Sequence, residues 1–323
     1  SENYGAVLQA YALKTYLQKQ GYDAEFIDYR HPAHKEMYSL FKREQFKQKS
    51  IVGKVKHIIS FLLRYKRLYT RKKNFSKFIQ KNIIATPENF FPNKQVYDVV
   101  IYGSDQIWRK QNTLGINEFN EIYFGSDVIQ AKKKIAFAAS MGEIDVTDSD
   151  KKRLQELLQN FDAISVRESD LYNLIQPLTS KKVEQVLDPV FLLSKEEWLQ
   201  ITPPRLCKEK YILLYKLSHS GAAVTCAQRI QKETGYRVIE INGGILNTIP
   251  NKQQLQSISG PLEFLSLIYN AEYVISTSFH GVAFSILFNK QFYAFSNKNA
   301  GRIITLLESF DLIYRFFPKN EKN

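Results

Sequence analysis

Cysteine is scarce in this chain, with two among 323 residues, Cys207 and Cys226. That excludes a disulfide scaffold and makes a reducing cytoplasm the expected setting. Unbroken apolar stretches are only a few residues long, as at Phe61–Leu63 and Phe316–Phe317. None reaches the roughly 18–20 residues that cross a bilayer. No charged-then-apolar leader is visible, no Cys/His cluster has zinc spacing, and no phosphate-loop lysine motif occurs. Neither a metal nor a tightly held cofactor is expected. Acid is nearly missing from one stretch. Between Lys42 and Lys77 stand thirteen Lys and Arg with the single acid Glu44, so this segment holds twelve of the thirteen net positive charges.

What is present is an ordinary globular balance, 44% hydrophobic and 24% charged, which excludes disorder and low complexity. At about 150 residues per domain the length suggests two domains. The basic segment is also amphipathic. Ile51, Val55, Ile58, Ile59 and Leu62 recur at helical spacing, and Leu63, Tyr65 and Tyr69 extend the stripe. Such a helix docks on its own domain with a solvated basic face, or lies apolar face down on an anionic membrane. A nucleic-acid contact is a third reading, but no recognised module supports it.

Short apolar runs alternate with helical patterns. Strands are expected at Asp23–Asp28, Val96–Tyr102, Lys134–Ala139, Asp162–Ser165, Tyr211–Leu217, Arg237–Ile241, Tyr273–Ile275 and Phe292–Phe295. Helices are expected at Tyr4–Gln20, Ser149–Asn160, Glu168–Leu174, Ala222–Thr234, Gly260–Tyr269, Gly281–Leu287 and Arg302–Ser309. This is an α/β pattern of parallel sheets covered by helices. Thr202-Pro203-Pro204 punctuates the chain before a fresh strand, so a boundary is expected near Leu193–Arg205, with a cleft between residues 1–195 and 196–323. A helix opening at Tyr4 looks like the partner of a preceding strand. That strand is expected to lie outside this sequence, which begins at Ser1.

Ligands bind beyond the C-terminal ends of parallel strands. Small polar residues and glycine gather there: Gly103-Ser104-Asp105-Gln106 before Trp108, Ser140-Met141-Gly142, Ser165-Val166-Arg167-Glu168, Ser218-His219-Ser220-Gly221, Asn242-Gly243-Gly244 and Ser276-Thr277-Ser278-Phe279-His280-Gly281. Each is also a good helix cap or turn. In the last, a helix starting near Ser278 would offer free backbone N–H groups and its dipole to an anion. His280 would stand in that site, and imidazole suits proton transfer near neutral pH. The plainer reading is a hydrogen-bonded core histidine. His31 and His34 flank Pro32 and read as a loop. Asp148 and Asp150 read as helix-start acids.

Several motifs in order carry a family resemblance: Asn3-Tyr4-Gly5-Ala6-Val7-Leu8-Gln9, Gly103-Ser104-Asp105-Gln106-Ile107-Trp108, Ser165-Val166-Arg167-Glu168, Leu187-Asp188-Pro189-Val190 and Ser278-Phe279-His280-Gly281-Val282. The chain resembles the polysaccharide pyruvyl transferase family from Asn3 to about Arg315. The resemblance implies two Rossmann-like domains facing across a cleft, as in GT-B enzymes, the first carrying the basic insertion at about 42–77. It implies transfer of a pyruvyl group from phosphoenolpyruvate (PEP), a co-substrate, to two hydroxyls of a saccharide, giving a ketal and phosphate. The acceptor is often lipid-linked or polymer-bound. A cytoplasmic enzyme, peripheral at the inner membrane face, is the corresponding expectation.

On this resemblance His280 is the candidate general acid. Asp105 accepts a hydroxyl proton or merely caps a helix. Arg167 grips the donor or pairs with Glu168 or another acid. The donor would also meet Ser278, Phe279 and Gly281. Many family members place Arg two residues before the His, where this chain has Ser278, so Lys298, Arg302 or Lys216 is expected to replace that cation. Asn3, Tyr4, Ser104, Gln106 and Trp108 are expected on the acceptor side. Two alternatives stay open: a GT-B glycosyltransferase using a nucleotide sugar, and a non-enzymatic basic protein binding membrane or nucleic acid.

Overall fold

Parallel pairing organises the computed structural model of the chain, which describes residues 2–29, 40–41, 46–84, 96–113, 116–217, 219–242, 260–296 and 300–318. Helices α1 (Tyr4–Lys19) and α2 (Ile51–Asn82) come first. Next are β1 (Tyr97–Tyr102), a short antiparallel ribbon of β2 (Gln111–Thr113) and β3 (Ile116–Glu118), β4 (Ala131–Ala139), α3 (Asp148–Leu158), β5 (Ala163–Val166), α4 (Ser169–Ile175) and β6 (Val183–Gln185). The rest is α5 (Lys195–Ile201), β7 (Tyr211–Lys216), α6 (Gly221–Thr234), β8 (Arg237–Asn242), α7 (Pro261–Tyr269), β9 (Tyr273–Ser276), α8 (Phe279–Leu287), β10 (Gln291–Ser296), α9 (Gly301–Glu308) and β11 (Phe316–Pro318).

Two all-parallel sheets result, ordered β1-β4-β5-β6 and β11-β10-β9-β7-β8. The second is the better buried. Every residue of β7 is out of solvent, as expected for a central parallel strand covered on both faces. Local chemistry starts the helices. Asn3 accepts from the Ala6 amide and Ser50 from Gly53, and Thr147 with Asp150 and Ser194 with Glu197 form capping boxes.

Packing does not follow chain order. Helix α1 buries Tyr4, Val7, Leu8 and Ala12 in the core of the second sheet, with Tyr215, Phe264 and Trp198. Tyr4 stacks on Phe264 with centroids 4.6 Å apart. The end of α2 joins that core through Phe75 and Phe78. The expected 1–195 half therefore does not pack as one body, because its first helix and the close of its second lie with the later sheet. The first sheet has its own core around Trp108, Phe124, Leu154 and Phe161.

The strand expected at Asp23–Asp28 is irregular chain. Its alternation has another use: Phe26 packs on the core of the second sheet and Ile27 on that of the first. Neighbouring side chains thus tie two cores together instead of lining one face. His31 and His34, the basic residues Lys42 and Arg43, Ser218, the glycines Gly243 and Gly244, and Lys298 lie outside the described residues.

Candidate active site

The C-terminal ends of strands from both sheets converge on one buried charge cluster. From the first sheet come Ser104 after β1, Ser140 after β4, and Arg167 and Glu168 after β5. From the second come His280 in the first turn of α8 and Arg302 in that of α9. Asp188, after β6, joins them. Arg167 is 4% exposed and pairs with Asp188; it also donates to Glu168 Oε1 at 3.1 Å and to Ser104 Oγ at 3.1 Å. Ser104 donates to Asp188 Oδ2 at 3.0 Å, and Ser140 donates to Glu168. The guanidinium lies over the Phe279 ring, 4.4 Å from its centroid.

His280 is buried, at 6% exposure, with Nε2 3.5 Å from Asp188 Oδ2. That separation is too long for a full hydrogen bond, and among the described residues Nε2 has no hydrogen-bond partner. On its other side the ring lies against Gly5 of α1. A Cβ on Gly5 would fall 1.9 Å from His280 Nδ1. Only a residue without a side chain lets α1 and α8 approach around this imidazole.

The charges tune one another. Burial disfavours ionised Asp188, but the His280 imidazole and the Arg167 guanidinium more than offset it, holding the carboxyl well below its usual range. Burial likewise disfavours charged Arg167, and Glu168 and Asp188 more than offset it. Arg302 differs. Burial, and then the Arg167 charge, push it down to about 10. Among the described residues Arg302 Nε and Arg167 Nη2 are buried with no hydrogen-bond partner. Unsatisfied buried N–H groups are costly, and an anion would satisfy both. A pocket of about 180 Å³ opens beside Arg167, lined also by Gln185, Asp188, Phe279, Thr305 and Leu306; Arg302 is not on its wall. His280 is not on its wall and meets it through Asp188 and Phe279.

Backbone strain marks the same region. Asp105 has φ +74° and Ala138 φ +51°, a conformation rare for residues with a side chain. Ala138 sits where the β4–β5 register shifts, a bulge that re-aims the end of β4. Helix α8 starts at Ser278 with no side-chain cap, the Ser278 amide instead donating to Ser276 Oγ at 3.0 Å. Gly281 is also required, since a Cβ there would lie 2.1 Å from Ser276 Oγ.

Of the residues expected to form the site, Ser104, Arg167, Phe279, His280 and Arg302 come together. Arg167 takes its acid-paired alternative. Lys216 is spent elsewhere: nearly buried, it pairs with Glu240 of β8 at 3.0 Å. Two acceptor-side expectations are corrected. Tyr4 is fully buried in the second core, and Trp108 is fully buried on Phe124 with its indole donating to the Tyr123 carbonyl at 3.1 Å. Large rings beside polar motifs were filling interior volume. Asn3 caps α1. Gln106 Oε1 accepts from Arg109 at 3.3 Å. Ser140 and Glu168 were named at strand ends, Glu168 as a partner of Arg167, whereas Asp188 and Gly5 stood in the quoted motifs without a role. A buried acid in Asp-Pro just after a strand was the available signal. Among the described residues no group of three or more His, Cys, Asp or Glu is placed to hold a metal.

A buried Arg–Asp–His cluster joining two helix-flanked parallel sheets is the signature of an α/β protein with a site between strand ends. The model of the polysaccharide pyruvyl transferase family matches residues 3–299, nearly the whole chain. The chain belongs to that family, so it is a transferase of polysaccharide synthesis. No curated protein matches. Among solved structures, the Klebsiella pneumoniae protein KP1_0663 is 12% identical with a TM-score of 0.46, covering 79% of this chain and 88% of that one. GsuK bound to ADP is 14% identical with a TM-score of 0.23, covering 97% and 92%. At such scores neither likeness carries an argument.

Proposed function

We propose that the chain transfers a pyruvyl group from PEP to two hydroxyls of a saccharide, with PEP bound where the two sheets meet as facing domains. The carrying observation is the pair of neighbouring guanidiniums, Arg167 and Arg302, each with a buried N–H that lacks a partner among the described residues, in the cluster that also holds Asp188 and His280. A small dianion with a carboxylate and a phosphate answers both. Arg302 takes the place of the arginine that many relatives carry where this chain has Ser278.

In this reading His280 gives its Nε2 proton to the methylene carbon of PEP, and the neighbouring carbon becomes electrophilic. One saccharide hydroxyl adds there and loses its proton to Asp105. The second hydroxyl adds as the phosphate group leaves. The proton it sheds restores His280, and the first departs with phosphate, so three protons and both C–O bonds are accounted for. Asp188, 3.5 Å from Nε2, orients the imidazole.

The test is phosphate release from PEP with candidate saccharide acceptors. His280→Gln is expected to lower turnover about 10²–10⁴-fold, the usual worth of a general acid, with a native circular dichroism spectrum and a melting temperature lowered by the loss of Asp188's imidazole partner. Full turnover in that variant, or activity with a nucleotide sugar instead, would overturn the reading.

A further inference from the structure

Helix α2 shows two apolar faces, and among the described residues only one is covered. Its closing turns are fixed to the body of the protein. Phe75 and Phe78 are buried, and Arg71 donates to Tyr4 Oη at 3.0 Å and to the Glu2 carbonyl at 2.7 Å. On the same side, His57 and Phe61 meet the Phe41 ring, each with centroids 5.2 Å apart. A turn of 100° per residue puts Ile51, Val55, Ile58, Leu62 and Tyr69 on the opposite side. There Ile51 is 82% exposed and Leu62 66%, with Leu63 beside it at 76%. This open stripe runs about 27 Å at 1.5 Å per residue, more contiguous apolar surface than a monomer leaves uncovered without use.

Charge identifies the occupant. The 32 residues of α2 carry ten Lys and Arg and no acid. Lys56, Lys66, Lys73 and Lys77 are exposed and flank or continue the open stripe. A second copy of the chain would set ten like charges against ten. An anionic lipid surface instead accepts the apolar stripe among its acyl chains and the ammonium groups among its phosphates. No helix among the described residues is long and apolar enough to cross a membrane.

We infer that the open face of α2, from Ile51 to Tyr69, docks the protein on an anionic bilayer surface. This goes beyond the catalytic reading and does not depend on it. It also gives the site a fixed height, because Arg71 and Phe75 hold Tyr4, the neighbour of the Gly5 that supports His280.

The test is flotation of the full chain with vesicles of phosphatidylcholine, with and without phosphatidylglycerol. Binding is expected only with the anionic lipid and is expected to weaken as salt rises. The paired variants Leu62→Glu with Leu63→Glu, and Lys66→Glu with Lys73→Glu, should each lower vesicle affinity at least tenfold, with an unchanged circular dichroism spectrum. Vesicle binding untouched by either pair overturns the inference. So does a concentration-dependent dimer, seen by sedimentation, that the leucine pair abolishes, or nucleic-acid binding that displaces the vesicles and ignores the leucine pair. Flotation reads no turnover, so a failed PEP assay leaves this result intact.

Discussion

The two sheets treat buried positive charge in opposite ways. At the end of the first, Arg167 is surrounded: two carboxylates, a hydroxyl and an aromatic face saturate most of its guanidinium. At the end of the second, Arg302 keeps an unpartnered Nε and is pushed down to about 10. A cation ringed by acids builds structure, because removing it strands those acids out of water. A cation left short of partners is prepared to receive one. On the proposed reading, Arg167 holds the site together and Arg302 supplies affinity.

Substitution can break that contrast. Arg167→Ala should have the largest effect, destabilising the fold by about 3–5 kcal/mol through the uncompensated Asp188 and Glu168; chemical denaturation reads it. Gly5→Ala should come next and should act on chemistry. The new methyl would overlap the imidazole, and a displacement near 1 Å costs about 10²-fold in rate. Helix propensity returns at most roughly 1 kcal/mol of the overpacking cost, so the midpoint of unfolding should fall as well while turnover collapses. Arg302→Gln should keep the fold and raise the KM for PEP by about tenfold or more, as loss of one charge-assisted contact does. An Arg302→Gln protein that unfolds like Arg167→Ala would erase the distinction.

The smallest effect is in pH. Asp188 has a depressed folded-state value, so its contribution is full above its unfolded value of about 4 and is lost as the pH falls toward the lower folded value. Stability of the wild type should therefore drop more steeply between about pH 5 and pH 3 than that of Asp188→Asn, which lacks this titration.

Much of this was legible in the sequence. Strand periods placed the strands of both sheets except the edge strands β6 and β11, and small polar residues were noted after the strands where the charge cluster forms. His280 and Arg167 stood out by residue type and position. What was hidden is long-range pairing. Nothing local in Leu187-Asp188-Pro189 says that its carboxylate will meet an arginine 21 residues earlier and an imidazole on the other sheet. Tyr4 and Trp108 were misread because an aromatic beside a polar motif has the same local pattern whether it faces a ligand or a core. The run at Asp23–Asp28 had a strand's alternation but bridges two cores.

Gly5 touching His280 has a consequence for the order in which the molecule is made. The imidazole is seated by a helix from the start of the chain and borne by one near its close, with Arg302 arriving later still. On the ribosome the earlier segments can fold while the catalytic centre remains open. Competence arrives only when the segment carrying His280 and Arg302 has emerged and met α1, so on the proposed reading a fragment released before that is inert.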